Sequence, residues 1–258
     1  MSDSGPVFIG IDPTAGDPQI TYAALDGGLR VLALGEGKLD EVLAFVVQHP
    51  AALVAVGAPQ SPNAGLMADP QVRKPLGLPP RTKTWAGCKV GEYQLRKRGI
   101  LIYRTPGQEA EAPRWMQDGF RLYKLLRKEG YASYRPGRED RPRQVLEVHP
   151  HACFTVLLER IPIKKDTLEG RLQRQLLLYR EGVRVPDAMR VLEEITRHRL
   201  LTGQLRLDGQ YSHDQLDALV SAYTAYLAAR QPDRITMVGD PREGQIAVPT
   251  GDLRERYS

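Results

Sequence analysis

The sequence predicts an α/β domain built on one mixed sheet with helices on both faces, and three observations carry that reading. Residues 7–12, Val-Phe-Ile-Gly-Ile-Asp, form an apolar, β-branched run that stops at a carboxylate and Pro13, the pattern of a buried strand opening into a turn. Asp26-Gly27-Gly28 separates two further apolar runs, at 19–25 and 30–34, as a hairpin turn does. Residues 52–57, Ala-Leu-Val-Ala-Val-Gly, are continuously apolar, the mark of a strand buried on both faces of a parallel sheet. An antiparallel start joined to a parallel remainder makes the sheet mixed.

The other elements follow in order. Residues 39–48 carry apolar side chains at Leu39, Val42, Leu43, Val46 and Val47, a helical stripe. Residues 60–84 are rich in Pro, Gly, Lys and Arg without a period and read as a long mobile loop of the functional kind. A helix at 89–98 sets Glu92 and Arg96 four residues apart, and 100–103 reads as a short strand. Residues 112–128 form an amphipathic helix with Trp115, Phe120, Leu122 and Tyr123 inside. After a basic loop at 135–143, a strand at 144–148 ends at His149-Pro150. Helices follow at 153–160, from the 164–171 segment through Tyr179, and at 187–200. The clearest helix is 212–230, where Ser212 and Gln215 form a capping box. Residues 235–240 and 245–249 read as a hairpin. The expected organisation is a single domain over 1–258, with an insertion at 60–142 and a C-terminal hairpin and tail at 231–258.

Composition narrows the class. With 41% hydrophobic residues among 258, the chain can bury a proper core. Its net charge of +5 suits a polyanionic partner without requiring one. Cys88 and Cys153 stand far apart, which argues against a disulfide framework or structural zinc and fits a reducing cytoplasm. The longest apolar run, 51–58, is too short to span a bilayer, so no membrane partner is expected.

The carboxylates carry the chemistry. Asp12 ends a buried strand, where it either caps its own turn or binds a metal. Glu147 ends another, with His149 on the same strand face. Asp214 and Asp217 share one face of the last long helix. The helix dipole accounts for Asp214 in the first turn and less well for Asp217. Behind these acids the helix face is small, with Ala218, Ser221, Ala222 and Ala225, so it can approach a sheet closely. Four hard oxygen donors suit Mg²⁺ or Mn²⁺, and two such ions roughly 3.5–4 Å apart can clamp a phosphodiester under attack.

In this order, Gly10-Ile11-Asp12, the strand end at Gly57-Ala58-Pro59, Glu147-Val148-His149-Pro150, Lys165 through Glu169-Gly170-Arg171, and Asp214-Gln215-Leu216-Asp217-Ala218-Leu219 resemble the domain of unknown function 429 family, regarded as predicted nucleases of ribonuclease H-like fold. The resemblance runs from about Val7 to Ala229. It implies a ribonuclease H-like, five-stranded mixed sheet and a metal-dependent phosphodiester hydrolase acting on nucleic acid. It places Asp12, Glu147, Asp214 and Asp217 at the family's acidic positions. Many relatives carry Asp where this chain has Gly57, and Glu92 is the candidate substitute acid.

Substrate phosphates are assigned to Lys165, Arg171 and Arg174 around a helix N-terminus, to Arg81 and Lys83 in the basic loop, and to His149, which is either a phosphate contact or a packing residue. Trp85 is the candidate for stacking on a base, and Trp115 a core residue. Two other functions stay open: a non-catalytic nucleic-acid-binding module of the same fold, which Gly57 favours, and an actin-like ATPase or sugar kinase. Against the latter, 258 residues are too few for two full lobes.

Overall fold

The computed structural model describes residues 5–13, 20–79, 85–137, 141–204 and 209–258. Its strands are β1 (Val7–Asp12), β2 (Ile20–Leu25), β3 (Val31–Gly37), β4 (Ala52–Val56), β5 (Ala132–Ser133), β6 (Arg143–Val148), β7 (Thr236–Asp240) and β8 (Gly244–Val248). Its helices are α1 (Leu39–Val47), α2 (Pro70–Arg73), α3 (Val90–Lys97), α4 (Arg114–Lys128), α5 (Pro150–Leu158), α6 (Leu168–Arg180), α7 (Met189–Glu194), α8 (Arg197–Thr202) and α9 (His213–Arg230). The sheet order is β3-β2-β1-β4-β6-β8-β7, with β5 beside the start of β6. The first three strands are antiparallel, while β1, β4, β6 and β8 run parallel.

The mixed sheet is as expected, but among the described residues it has eight strands rather than five. The C-terminal hairpin is part of the sheet. Without it the end of β6 beyond β5 would be an open edge with unpaired backbone groups; β8 covers that edge, Glu147 opposite Ile246 and Val148 opposite Ala247. Strand β5 is two residues long, too short for a period to show.

Alternation along the strands separates two cores. Phe8, Ala55, Leu146 and Val148 face a layer containing α5, α6 and α9. Ile9, Ile11, Val54, Val56 and Val145 face Val42 and Val46 of α1 and Leu122, Tyr123 and Leu126 of α4. Helix α9 is buried almost all round, against β1, β2 and β4 on one side and α5 and α6 on the other. Its small residues meet β1 at Gly10. A methyl group on Gly10 would lie 2.0 Å from the Ala218 carbonyl oxygen and 2.3 Å from the Ala222 nitrogen. The capping box at Ser212 forms, with Gln215 N–H donating to Ser212 Oγ at 3.2 Å and Ser212 N–H to Gln215 Oε1 at 2.9 Å.

Several local expectations are corrected. Residues 100–103 are extended but among the described residues pair with no strand; the Arg96 guanidinium donates to the Ile102 carbonyl. The segment 60–79 holds α2 and two 3-10 turns, because Asp69 Oδ1 accepts from Gln71 N–H at 2.8 Å and Pro70 starts the helix. These turns pack Met67 against Cys88, Val90 and Tyr93. The 187–200 helix is two helices, broken where Thr196 Oγ1 accepts from Arg199 N–H to cap α8. At the β2–β3 turn the left-handed residue is Leu29, φ 58°, held by Asp26 Oδ1 accepting from Gly28 and Arg30 amides.

Gly10→Ala is expected to destabilise the fold by about 3 kcal/mol, since the new methyl meets backbone that cannot rotate away. Gly87→Ala, whose added methyl meets nothing within 4 Å, is the control. Urea midpoints of the two variants check this; equal midpoints would contradict the close approach of α9.

Candidate functional site

Because Gly10 faces α9, Asp12, two residues on, belongs to the same face, and the close helix brings Asp217 over it. Both carboxylates line one cavity of about 360 Å³ at the carboxyl end of β1 and β4. Gly57, Leu101, Tyr103, Trp115, His149, Pro150, His151, Lys165 and Arg174 complete its wall. Asp12 and Asp217 are buried, 1% and 5% exposed.

Lys165 is the cation of the site. Its Nζ donates to Asp217 Oδ2 at 2.7 Å, and its charge is also felt by Asp12 and Asp214. The loop before α6 aims it. Gly170 lies so close to the Lys164 carbonyl oxygen that a methyl group there would sit 1.8 Å away, while Thr167 Oγ1 caps the helix through Gly170 N–H at 3.0 Å. Burial works against the Lys165 charge, and the Asp217 carboxylate overcomes it, leaving its pKa raised. Burial pushes the Asp217 carboxyl up, against the pull of Lys165 and Arg174, and Asp214 adds to the rise.

The other assigned residues divide. Asp214 lies 2.8 Å from His213 Nδ1, beside the main pair. Arg174 is 2% exposed and its Nη1 donates to the Ile163 and Gly170 carbonyls at 2.7 and 2.9 Å, with the guanidinium over the Phe154 ring. It therefore clamps the loop that carries Lys165. Arg171 Nη1 donates to the Asp166 carbonyl at 3.2 Å on the surface. Arg81 and Lys83 lie outside the described residues. His149 caps α5, its Nδ1 accepting from Ala152 N–H at 3.2 Å, which puts its proton on Nε2. Burial, then His151 and Lys165, hold its pKa down at about 3; burial and Arg174 hold His151 at about 4. Both rings are neutral at neutral pH.

Glu147 does not stand beside Asp12. It shares strand parity with Val145, which faces the α1–α4 side, whereas Asp12 shares parity with Gly10 and faces α9. Its Oε2 accepts from Gln60 N–H at 3.0 Å. Nearby, Glu92, fully buried, accepts from the Thr105 amide and hydroxyl at 2.9 and 2.5 Å and from Lys89 N–H at 3.1 Å. The expected Glu92–Arg96 pairing is replaced by these bonds. Tyr103 stands between the groups, close enough to feel Glu147, Glu92 and Asp12.

Among the described residues no group of three or more His, Cys, Asp or Glu is placed to hold a metal ion. Asp12 and Asp217 still fit Mg²⁺ or Mn²⁺ by donor chemistry, since Mg²⁺ commonly takes one or two carboxylates and fills its octahedron with waters and substrate phosphates. Sequence reasoning missed Leu101, Tyr103 and His151; Trp115, assigned to the core, packs against it and also lines the cavity. The first two were legible in part: in the extended segment 100–103, Ile100 and Ile102 are buried while Leu101 and Tyr103 line the cavity, an alternation of period two.

Burial pushes Glu147 from 4.5 up to about 7, against Lys89 and the Gln60 amide and with help from Glu92. Between those values the unfolded chain has lost the proton that the folded chain retains. Stability is therefore expected to fall as pH rises from 4.5 towards 7, by about 3 kcal/mol from this residue. Glu147→Gln removes that loss, so in chelator the variant should gain on the parent between pH 5 and pH 7.5. Parallel urea-stability profiles for the two proteins would contradict the assignment.

Neither the curated proteins nor the solved structures compared with the chain gave a match. Among the described residues no helix is long and apolar enough to cross a membrane. A family model, "Protein of unknown function (DUF429)", matches residues 10–243. The chain belongs to the DUF429 family.

Proposed function

We propose that the chain is a divalent-metal-dependent hydrolase of nucleic-acid phosphodiesters, with Asp12 and Asp217 holding Mg²⁺ or Mn²⁺. The observation that carries this is the facing of two buried carboxylates, one at the end of the central strand β1 and one on α9, across a cavity that also holds Lys165. The strand order β3-β2-β1-β4-β6, antiparallel then parallel, supports a ribonuclease H-like reading of the sheet, with β7 and β8 added at one edge. When bound, the ion supplies Lewis-acid polarisation of a phosphoryl oxygen.

The chain's own residues do the rest. Asp12 and Asp217 are held in place by burial, so little reorganisation is needed on binding. Lys165, half-exposed, neutralises one acid in the free protein and can turn to a substrate phosphate once a cation relieves it. His149, neutral and with its proton on Nε2, offers a hydrogen bond without charge. Arg174 fixes the loop that orients Lys165.

A second reading, a binding module of the same fold without catalysis, is favoured by the separation of Glu147 from Asp12. Cleavage of labelled single- and double-stranded DNA and RNA with Mn²⁺, against a chelated control, separates the two. Asp12→Asn and Asp217→Asn are each expected to lower the rate by about a hundredfold or more, and Lys165→Met to tighten Mn²⁺ while weakening substrate binding. Cleavage untouched in both Asn variants would remove the proposal.

Gly57 gives a gain-of-function test. It shares strand parity with Ala55, which faces the α9 side, and a methyl group there would meet Pro150 at 3.3 Å and the Ile11 carbonyl at 3.4 Å, a contact Pro150 can relieve by a small shift. Gly57→Asp is expected to add a third carboxylate to the cavity, raising Mn²⁺ affinity in calorimetry and speeding cleavage. A folded variant with neither gain would show that position 57 lies outside the ligand set.

A further inference from the structure

We infer that the cavity beside Asp12 and Asp217 takes one unpaired nucleobase, so that the chain acts on single-stranded or flipped-out nucleotides in preference to continuous duplex; this rests on the hydrolase reading and names its substrate class. The cavity, about 360 Å³, is within the size range of small-ligand sites, and its lining is mostly apolar. A phosphate backbone alone has no use for such a wall. Tyr103 and Trp115 form part of it, ring centroids 5.1 Å apart at 65°, and both are only partly buried. Leu101, 73% exposed, also lines it. Aromatic faces with an apolar neighbour are what an unstacked base seeks.

The polar atoms sort in the same way. Tyr103 Oη and His151 Nε2 are enclosed and have no hydrogen-bond partner among the described residues. Buried polar atoms are almost always bonded, and both residues line the cavity, where a small side-chain rotation offers these atoms to a ligand. A phenol and a neutral imidazole match the edge of a base. A phosphate is better served by Lys165, which stands with the acids on the same cavity. One cavity thus joins an uncharged aromatic part to a charged part, as a nucleotide does. A base seated there cannot keep its partner strand, and a duplex must first be opened to supply it.

The test measures binding in chelator, where no cleavage occurs. A short labelled oligothymidylate is titrated by anisotropy, then competed with its duplex, with thymidine 5′-monophosphate and with ribose 5-phosphate. The single strand is expected to bind at least about tenfold tighter than the duplex, and the monophosphate to compete at least about tenfold better than ribose 5-phosphate, the difference being the base. Leu101→Ser, a surface change, should weaken the strand and leave the duplex unaltered. A monophosphate as tight as the strand would keep the base pocket and assign it to free nucleotides. Equal binding of strand and duplex, or ribose 5-phosphate competing as well as the nucleotide, would overturn the inference. Cleavage persisting in that case leaves the hydrolase reading intact; base-selective binding by a protein that never cleaves removes that reading and supports the base pocket alone.

Discussion

The contact between Gly10 and the small face of α9 is the constraint on which the rest depends. A helix normally stands off a sheet by the length of its side chains. Here Ala218, Ser221 and Ala222 meet a strand residue with no side chain, so backbone approaches backbone. Two consequences follow. The helix can be buried on all sides, because α5 and α6 close over its other face. And Asp217, which precedes Ala218, arrives over Asp12, two residues beyond Gly10. The acidic centre is a by-product of this close packing of helix on strand.

That closeness sets the electrostatics. Two buried carboxylates, with Asp214 behind them, share one nearby ammonium, and the Asp217 carboxyl stays raised even beside it. Buried charge is costly unless paired, so the cavity favours any further cation that reaches it. The second acidic group, Glu147 with Glu92, is arranged differently. Backbone amides of Gln60, Lys89 and Thr105 satisfy its oxygens, and its charge is answered by the 2%-exposed Lys89. One group lines an open cavity; the other is enclosed among backbone amides.

Much of this was legible in the chain. The apolar runs at β1 and β4, the Ser212 capping box and the alanine face of α9 each express a local rule, and each is found in the structure. Asp12 and Asp217 were legible because strand ends and helix starts are simple to place. Glu147 was placed correctly at the end of β6, but its face depends on register and on which helices cover which side of the sheet, and neither is written in six residues. The cavity wall was harder still. Leu101 and Tyr103 belong to a segment with strand alternation and no strand partner, and only the packing of α3 and α4 around it decides what they face. The C-terminal hairpin was readable as a hairpin; that it extends the sheet was not, because pairing of β8 with β6 spans about a hundred residues.

The central claim is that Asp12 and Asp217 together hold a divalent cation that competes with Lys165. A crystal soaked in Mn²⁺, examined by anomalous scattering, tests it most directly. The account predicts one peak about 2.1 Å from an oxygen of each carboxylate, with the Lys165 ammonium moved off Asp217. Lys165 still seated on Asp217 with no peak between the two acids, or a peak at Glu147 and Glu92 instead, would contradict it.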